Sequence, residues 1–268
     1  DLNIKRFVPV LFAGLAAPSG EAADVYSYEE LAASPRHQEW VNIDAGDGDM
    51  VSAFVVYPES PDKSDSVVVI HDIQAMSSWI RLIGDRLAAE GFLAVVPDLL
   101  SGKGPDSGDS ASFENVAAKG KAMRELDSAE VDRRIQACVA YARSLESTTD
   151  AVSVGGFCWG GSTTFRYATF DQSIKGAHVF YGSSPDAEAL AGVEAPVYGY
   201  YAENDARVNV TIEPAAQTLS KLEKSFEPIT YPGVGHGFLR MGTAPDASDA
   251  YKTLTAEAWQ RWVALLSQ

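Results

Sequence analysis

Gly156-Phe157-Cys158-Trp159-Gly160-Gly161 stands directly after the apolar run Ala151-Val152-Ser153-Val154 and directly before a helix-compatible stretch, Ser162 to Ala168. A strand that turns at once into a helix must change direction within very few residues. Glycines two positions either side of Cys158 remove the Cβ atoms that would clash in so tight a turn. Such a turn lifts one side chain above the C-terminal edge of a sheet. The segment has the layout of a nucleophile elbow with cysteine in the serine position.

The rest of the chain supplies the sheet that an elbow needs. Apolar runs of strand length fall at Glu39–Ile43, Val51–Tyr57, Val67–His71, Leu93–Val96, Val152–Gly155, Ala177–Tyr181, Val197–Tyr201 and Ile229–Tyr231. From Val67 onward they are close to continuous, as expected of parallel strands covered on both faces. Helical periodicity alternates with them at Trp79–Glu90, Ala129–Leu145, Ser162–Ala168, Pro214–Lys224 and Ala250–Leu266. Asp127-Ser128-Ala129-Glu130 has the form of a capping box before the second of these. The expectation is an α/β fold with a mostly parallel eight-stranded sheet, helices on both faces and an antiparallel pair at the start. The Gly-, Ser-, Asp- and Pro-rich segment Ser101–Ser110 is expected as a loop beyond a strand end, where such sheets place their ligand sites.

With 268 residues the chain is long enough to bury one substantial core. Its 21 basic against 37 acidic residues give a net charge of −16, which argues against nucleic acid or an anionic membrane as partner. Two cysteines make no disulfide framework, and Cys138 lies in the helical pattern Val131-Ile135-Cys138-Val139, as a buried inert thiol would. The four histidines, His37, His71, His178 and His236, lack zinc-type spacing, and no metal site is expected. At the N-terminus, Lys5-Arg6, the apolar stretch Phe7–Ala17 and small residues up to Ala22-Ala23 follow the order of a secretory signal. On that reading residues 1–23 are a leader or N-terminal extension, 24–268 form one domain, and the protein works in a secreted or periplasmic setting; without a leader it would be cytoplasmic. The apolar run is too short to span a bilayer, so no membrane insertion of the mature chain is expected.

A nucleophile needs a base to take its proton, and the base needs a partner that holds its tautomer. His236, in Gly233-Val234-Gly235-His236-Gly237-Phe238, follows the strand-like Ile229–Tyr231, and its flanking glycines suit a loop. Asp205 follows Val197–Tyr201, in Glu203-Asn204-Asp205-Ala206-Arg207. Both fall at the sheet edge that carries Cys158, in the order nucleophile, acid, histidine. Glu203 competes for the acid role, and Asp205 is preferred. Trp79, Phe113, Trp159, Tyr181 and Phe238 are candidate pocket linings, whereas His71 and His178, in or at strand ends, read as structural.

These motifs together resemble the dienelactone hydrolase (carboxymethylenebutenolidase) family from about Trp40 to the C-terminus. The resemblance implies an α/β-hydrolase fold, a Cys158–His236–Asp205 triad, and hydrolysis of small esters or lactones without a cofactor. It implies an oxyanion hole from the backbone N–H groups of Trp159 and Ile73. Asp72 stands where the family's name-giving member has a thiol-modulating glutamate, one methylene longer. Arg240, four residues after His236, matches one of two arginines that hold a substrate carboxylate, and Lys103, beside Gly102, is the candidate replacement for the other. Thioester hydrolysis or acyl transfer on the same triad, and a non-catalytic binding protein that keeps the fold, are the alternatives. The helix N-terminus after Cys158 is expected to favour the thiolate.

Overall fold

The computed structural model describes residues 28–268, so the expected leader lies outside the described residues. A short helix α1 (Tyr28–Ala32) leads into β1 (Gln38–Asp44), β2 (Met50–Val56), β3 (Ser64–Ile70), α2 (Ser78–Ala89) and β4 (Leu93–Pro97). Then come α3 (Val116–Glu125), α4 (Ser128–Ser144), β5 (Thr148–Phe157), α5 (Trp159–Tyr167), β6 (Ala177–Phe180), β7 (Val197–Asn204) and α6 (Ala206–Asn209). The chain closes with α7 (Ile212–Lys221), β8 (Phe226–Gly235), α8 (Phe238–Gly242) and α9 (Asp249–Leu266).

The eight strands form one sheet in the order β1-β2-β4-β3-β5-β6-β7-β8. β1 pairs antiparallel with β2 and β2 antiparallel with β4, while β4, β3, β5, β6, β7 and β8 run parallel to one another. Alternation along β3 divides the core. Val68 and Ile70 join Ile135, Cys138, Phe165 and Leu219 under α4, α5 and α7. Val67 and Val69 join Trp79, Ile83, Ala258 and Trp262 under α2 and α9. Burying each such side chain contributes about 1.5–3 kcal/mol, so both faces are needed to hold the central strands. No helix of the described residues is long and apolar enough to cross a membrane.

Three departures from the sequence reading have physical causes. β8 runs over ten residues where only Ile229–Tyr231 was expected, because it is an edge strand, mostly exposed, with Pro228, Pro232 and Gly235 breaking its apolar signal. Helix α3 was not expected at all. It buries only Gly120 and Met123, too thin a stripe to show a period. β5 begins at Thr148, before its apolar run, pairing with Ser64 through an irregular register. Asp127 caps α4, its carboxylate accepting from the Glu130 N–H at 3.0 Å, but the expected capping box does not close, because the Glu130 carboxylate pairs with Lys103 and Arg134.

Buried Arg134 of α4 ties the β1–β2 turn to the end of β4. Its guanidinium donates to both oxygens of Asp49, at 2.6 and 3.0 Å, and to the Leu99 carbonyl at 2.9 Å. The ion pair holds the Asp49 carboxyl below the usual carboxylate range. Asp49 is partly exposed and also pairs with Arg133 at 3.1 Å, so losing Arg134 removes its hydrogen bonds without stranding the carboxylate. Arg134→Leu is therefore expected to lower unfolding free energy by about 1.5–3 kcal/mol, measured as a fall in the urea midpoint at unchanged slope.

Candidate active site

Cys158 sits between β5 and α5 at φ 57°, ψ −112°, a left-handed conformation that costs a non-glycine residue about 1–3 kcal/mol. The surroundings hold it there. A Cβ on Gly156 would stand 2.2 Å from the Gly160 carbonyl oxygen, and one on Gly160 would stand 2.4 Å from the carbonyl oxygens of Ile70 and His71. Backbone can pass this close only without side chains, so α5 packs directly onto the end of β3. The Cys158 N–H donates to the Phe180 carbonyl at 3.0 Å, which fixes the turn to β6.

His236 follows β8, and Gly237, at φ 77°, turns the chain into α8. Its Nε2 lies 3.0 Å from Cys158 Sγ, and its Nδ1 lies 2.5 Å from Asp205 Oδ2. A carboxylate facing Nδ1 holds the ring proton there and leaves Nε2 as the acceptor toward sulfur. Asp205, 6 % exposed at the end of β7, is shielded from water, while the His236 side chain keeps 32 % of its surface open. Tyr181 sets its ring edge-on to His236 at 5.2 Å. Glu203, the competing acid, is turned away: its Oε2 accepts from the Gly233 N–H at 2.7 Å and pins the β8 edge.

Trp159 opens α5, where the first amides have no intrahelical acceptor, and its backbone N–H favours the charged form of Cys158. Ile73 lies in the turn after β3. There the Gln74 N–H is taken by Asp72 Oδ1 at 2.8 Å and the Ala75 N–H by the Asp72 carbonyl at 3.0 Å. The Ile73 N–H makes no hydrogen bond among the described residues. Behind this turn the buried His71 accepts the Leu99 N–H on Nε2, at 3.2 Å, with its Nδ1 3.0 Å from the Asp72 carbonyl. That leaves Nδ1 as donor, and burial lowers the His71 pKa. His178 is likewise structural, buried beside Tyr198 and Tyr200, with its pKa lowered to about 3 by burial.

The electrostatics correct one expectation. Burial pushes the Cys158 thiol up, Asp72 pushes it further, and the Trp159 N–H and the Arg207 charge oppose them without prevailing. The helix terminus alone does not make a resting thiolate. Cys138, fully buried, is pushed up to about 12 by burial, as an inert thiol would be.

Three expected substrate contacts also need correction. Trp79 is 0 % exposed, donates from Nε1 to Thr243 Oγ1 at 2.9 Å and packs edge-on to Phe157. Phe238 is buried between Tyr181 and Tyr231. Both are core, because the sheet packs α2 and α8 against these faces. Lys103 pairs with Glu130 at 2.6 Å and lines a hollow of about 580 Å³ with Asp49 and Arg134, in which no triad residue takes part. The fourth, Arg240, does reach the site: its Nη1 pairs with Asp72 at 3.2 Å, its Nη2 donates to Gln74 Oε1 at 2.7 Å, and its guanidinium lies over the Trp79 ring at 5.1 Å. Half-buried Phe113 packs with Trp159 against Ala75, Leu100 and Met123. Tyr181, expected as a pocket lining, is buried and sets its ring edge-on to His236; the Arg207 charge had no assigned role in the sequence, its only signal being proximity to Asp205.

A cysteine on a left-handed elbow, with an aspartate and a histidine on the loops after β7 and β8 of such a sheet, is the arrangement of the α/β-hydrolase fold. The dienelactone hydrolase family model matches residues 51–268, and the chain belongs to that family. It is 28 % identical over 247 residues to a Saccharolobus solfataricus protein provisionally named a carboxymethylenebutenolidase, covering 80 % of this chain and 93 % of that one. It is 25 % identical over 226 residues to a Rattus norvegicus carboxymethylenebutenolidase homolog, covering 81 % and 87 %. Among solved structures, a Klebsiella pneumoniae protein provisionally named a dienelactone hydrolase superposes with a TM-score of 0.75 at 25 % identity, over 87 % of this chain and 99 % of that one.

Asp72→Asn removes the nearer negative charge that raises the thiol pKa. Iodoacetamide alkylation of Cys158 should follow a pH midpoint above the ordinary thiol value of about 8.5 in wild type, and a lower midpoint in Asp72→Asn. The rate at neutral pH should therefore rise in the variant.

Proposed function

We propose that this chain hydrolyses small carboxylic esters or lactones through a Cys158–His236–Asp205 triad and an acyl-thioester intermediate. The observation that carries the reading is the unbroken line from Cys158 Sγ to His236 Nε2 and from His236 Nδ1 to Asp205. The names of the relatives, carboxymethylenebutenolidases, support a lactone or ester as substrate.

Because the resting thiol is held protonated, attack needs a base. Sγ adds to the substrate carbonyl as its proton passes to His236 Nε2, and Asp205 stabilises the imidazolium. The carbonyl electrons move onto oxygen, which the Trp159 and Ile73 N–H groups receive, each contributing roughly 3 kcal/mol. As the intermediate collapses, the C–O bond to the leaving group breaks and His236 returns the proton to the departing alkoxide. His236 then takes a proton from water, hydroxide adds to the thioester, and collapse expels the thiolate. The sulfur recovers its proton and the acid leaves.

The test is a panel of activated oxoesters, lactones and thioesters run on four proteins. Cys158→Ala and Asp205→Asn should each lose on the order of a hundredfold or more in kcat/KM. Glu203→Gln, which keeps an acceptor for Gly233, should stay within about threefold. Equal losses in Asp205→Asn and Glu203→Gln would remove Asp205 from the acid role. Turnover of thioesters alone would make the protein a thioesterase, and no turnover of any member would leave a binding protein.

A further inference from the structure

His236 reaches Cys158 from a short stretch of chain, and α9 holds that stretch on both sides. β8 pairs with β7 in regular register as far as Tyr231 opposite Ala202; the register then shifts, and Asn204 faces Gly235. Beyond Gly235 come His236, Gly237 at φ 77° and the five residues of α8. Glycine on either side of His236 leaves the chain there little stiffness of its own. Asp205 fixes the imidazole ring, but it grips the far end of a side chain whose backbone needs its own support.

That support comes from one face of α9. The Gly235 N–H donates to Tyr251 Oη at 3.1 Å, and Thr255 Oγ1 donates to the Phe238 carbonyl at 3.1 Å. Tyr251 and Thr255 are four residues apart on the helix, so their side chains lie on the same face. They grip the chain one residue before His236 and two residues after it. A Cβ on Gly242 would stand 2.0 Å from Thr255 Oγ1 and 2.6 Å from the Tyr251 carbonyl oxygen, so α8 rests directly on this turn of α9. The helix is itself anchored. Ala258 and Trp262 are fully buried in the core shared with α2, and Ser248 Oγ caps the first turn by accepting from the Tyr251 N–H at 3.4 Å. Neither hydroxyl makes a hydrogen bond to a triad side chain among the described residues.

We propose that Tyr251 and Thr255 are positioning residues that hold the His236 loop at the reach needed to take the proton of Cys158. The nitrogen–sulfur contact is 3.0 Å, and a displacement of about 1 Å at such a contact is worth up to roughly a hundredfold in rate. Loss of the Tyr251 hydroxyl frees the Gly235 amide, and loss of the Thr255 hydroxyl frees the Phe238 carbonyl. Each releases the backbone on one side of the histidine and leaves Cys158, Asp205 and the Ile73 turn as they are. The assignment rests on the hydrolase reading for the step it serves, but the contact it protects can be read without turnover.

The experiment follows alkylation of Cys158 by iodoacetamide at neutral pH, with the labelled peptide identified by mass. The full chain is compared with Tyr251→Phe, Thr255→Val and Thr255→Ser, each alone and combined with His236→Gln. Burial and Asp72 push the thiol toward its neutral form, so weakening its base slows labelling. Tyr251→Phe and Thr255→Val should each slow it about fivefold, and Thr255→Ser, which keeps the hydroxyl, should stay within about twofold of wild type. In the His236→Gln background all three should change the rate by less than about twofold, because a residue that acts through His236 then has nothing to act on. With an activated ester, kcat should fall about tenfold in Tyr251→Phe and KM stay within about twofold, since His236 serves both acylation and deacylation. Tyr251 is half-buried and its ring packing survives in phenylalanine, so this variant decides alone if Thr255→Val fails to fold. An unchanged labelling rate in either variant overturns the assignment of that residue. A slowing that persists with His236→Gln overturns both, since a merely structural loss would give it. A slowing that vanishes with His236→Gln, in a protein that hydrolyses no ester, keeps the positioning role and overturns the hydrolase reading instead.

Discussion

Everything at this site depends on one strained residue. Cys158 takes a left-handed backbone conformation because Gly156 and Gly160 let α5 lie against the ends of β3 and β5 at distances no side chain would permit. The cost, about 1–3 kcal/mol, is met by the core on both faces of the sheet. In return the sulfur stands at the sheet edge, 3.0 Å from His236 Nε2. His236 and Asp205 need only loops from β8 and β7 to reach it, since parallel strands deliver their C-terminal ends to a common edge.

Around that point the charges are arranged in layers. Asp72 faces both the thiol, whose pKa it raises, and Arg240, which holds it in place. Burial and Asp72 both favour the neutral thiol, and this gives the His236 contact at 3.0 Å its weight in the chemistry proposed. Arg240 in turn lies on the buried Trp79, so the aromatic core of α2 supports the electrostatics of the site without touching a substrate. Further out, Arg134 and Asp49 do the same for the scaffold, closing the β1–β2 turn onto α4.

The sheet, the elbow and the placement of the three chemical side chains were legible in the sequence because each has a local signature. Near-continuous apolar runs mark parallel strands, and glycines mark the turns that flank Cys158 and His236. That Asp205 and not Glu203 faces His236 was legible only as a preference; Glu203 is occupied by Gly233, a contact between residues 30 positions apart. Trp79, Phe238 and Lys103 were misread for the same reason. An aromatic or a lysine near a strand end looks alike in sequence whether it faces a substrate, a core or a glutamate such as Glu130. Helix α3 left no periodic trace because it packs through little more than Gly120 and Met123. The thiol's ionisation was misjudged because burial and Asp72, both tertiary effects, outweigh the helix terminus that sequence reveals.

The central claim is that Cys158 becomes covalently acylated, and it can be tested by catching that species. The protein would be mixed rapidly with an activated ester, quenched in acid within a turnover and digested for peptide mass analysis. The account predicts that the peptide carrying Cys158 gains the mass of the acyl group, that hydroxylamine removes it as it removes a thioester, and that the adduct is absent from Cys158→Ala. Acyl mass on Ser162 or another residue, or turnover with no acylated peptide at any quench time, would contradict it.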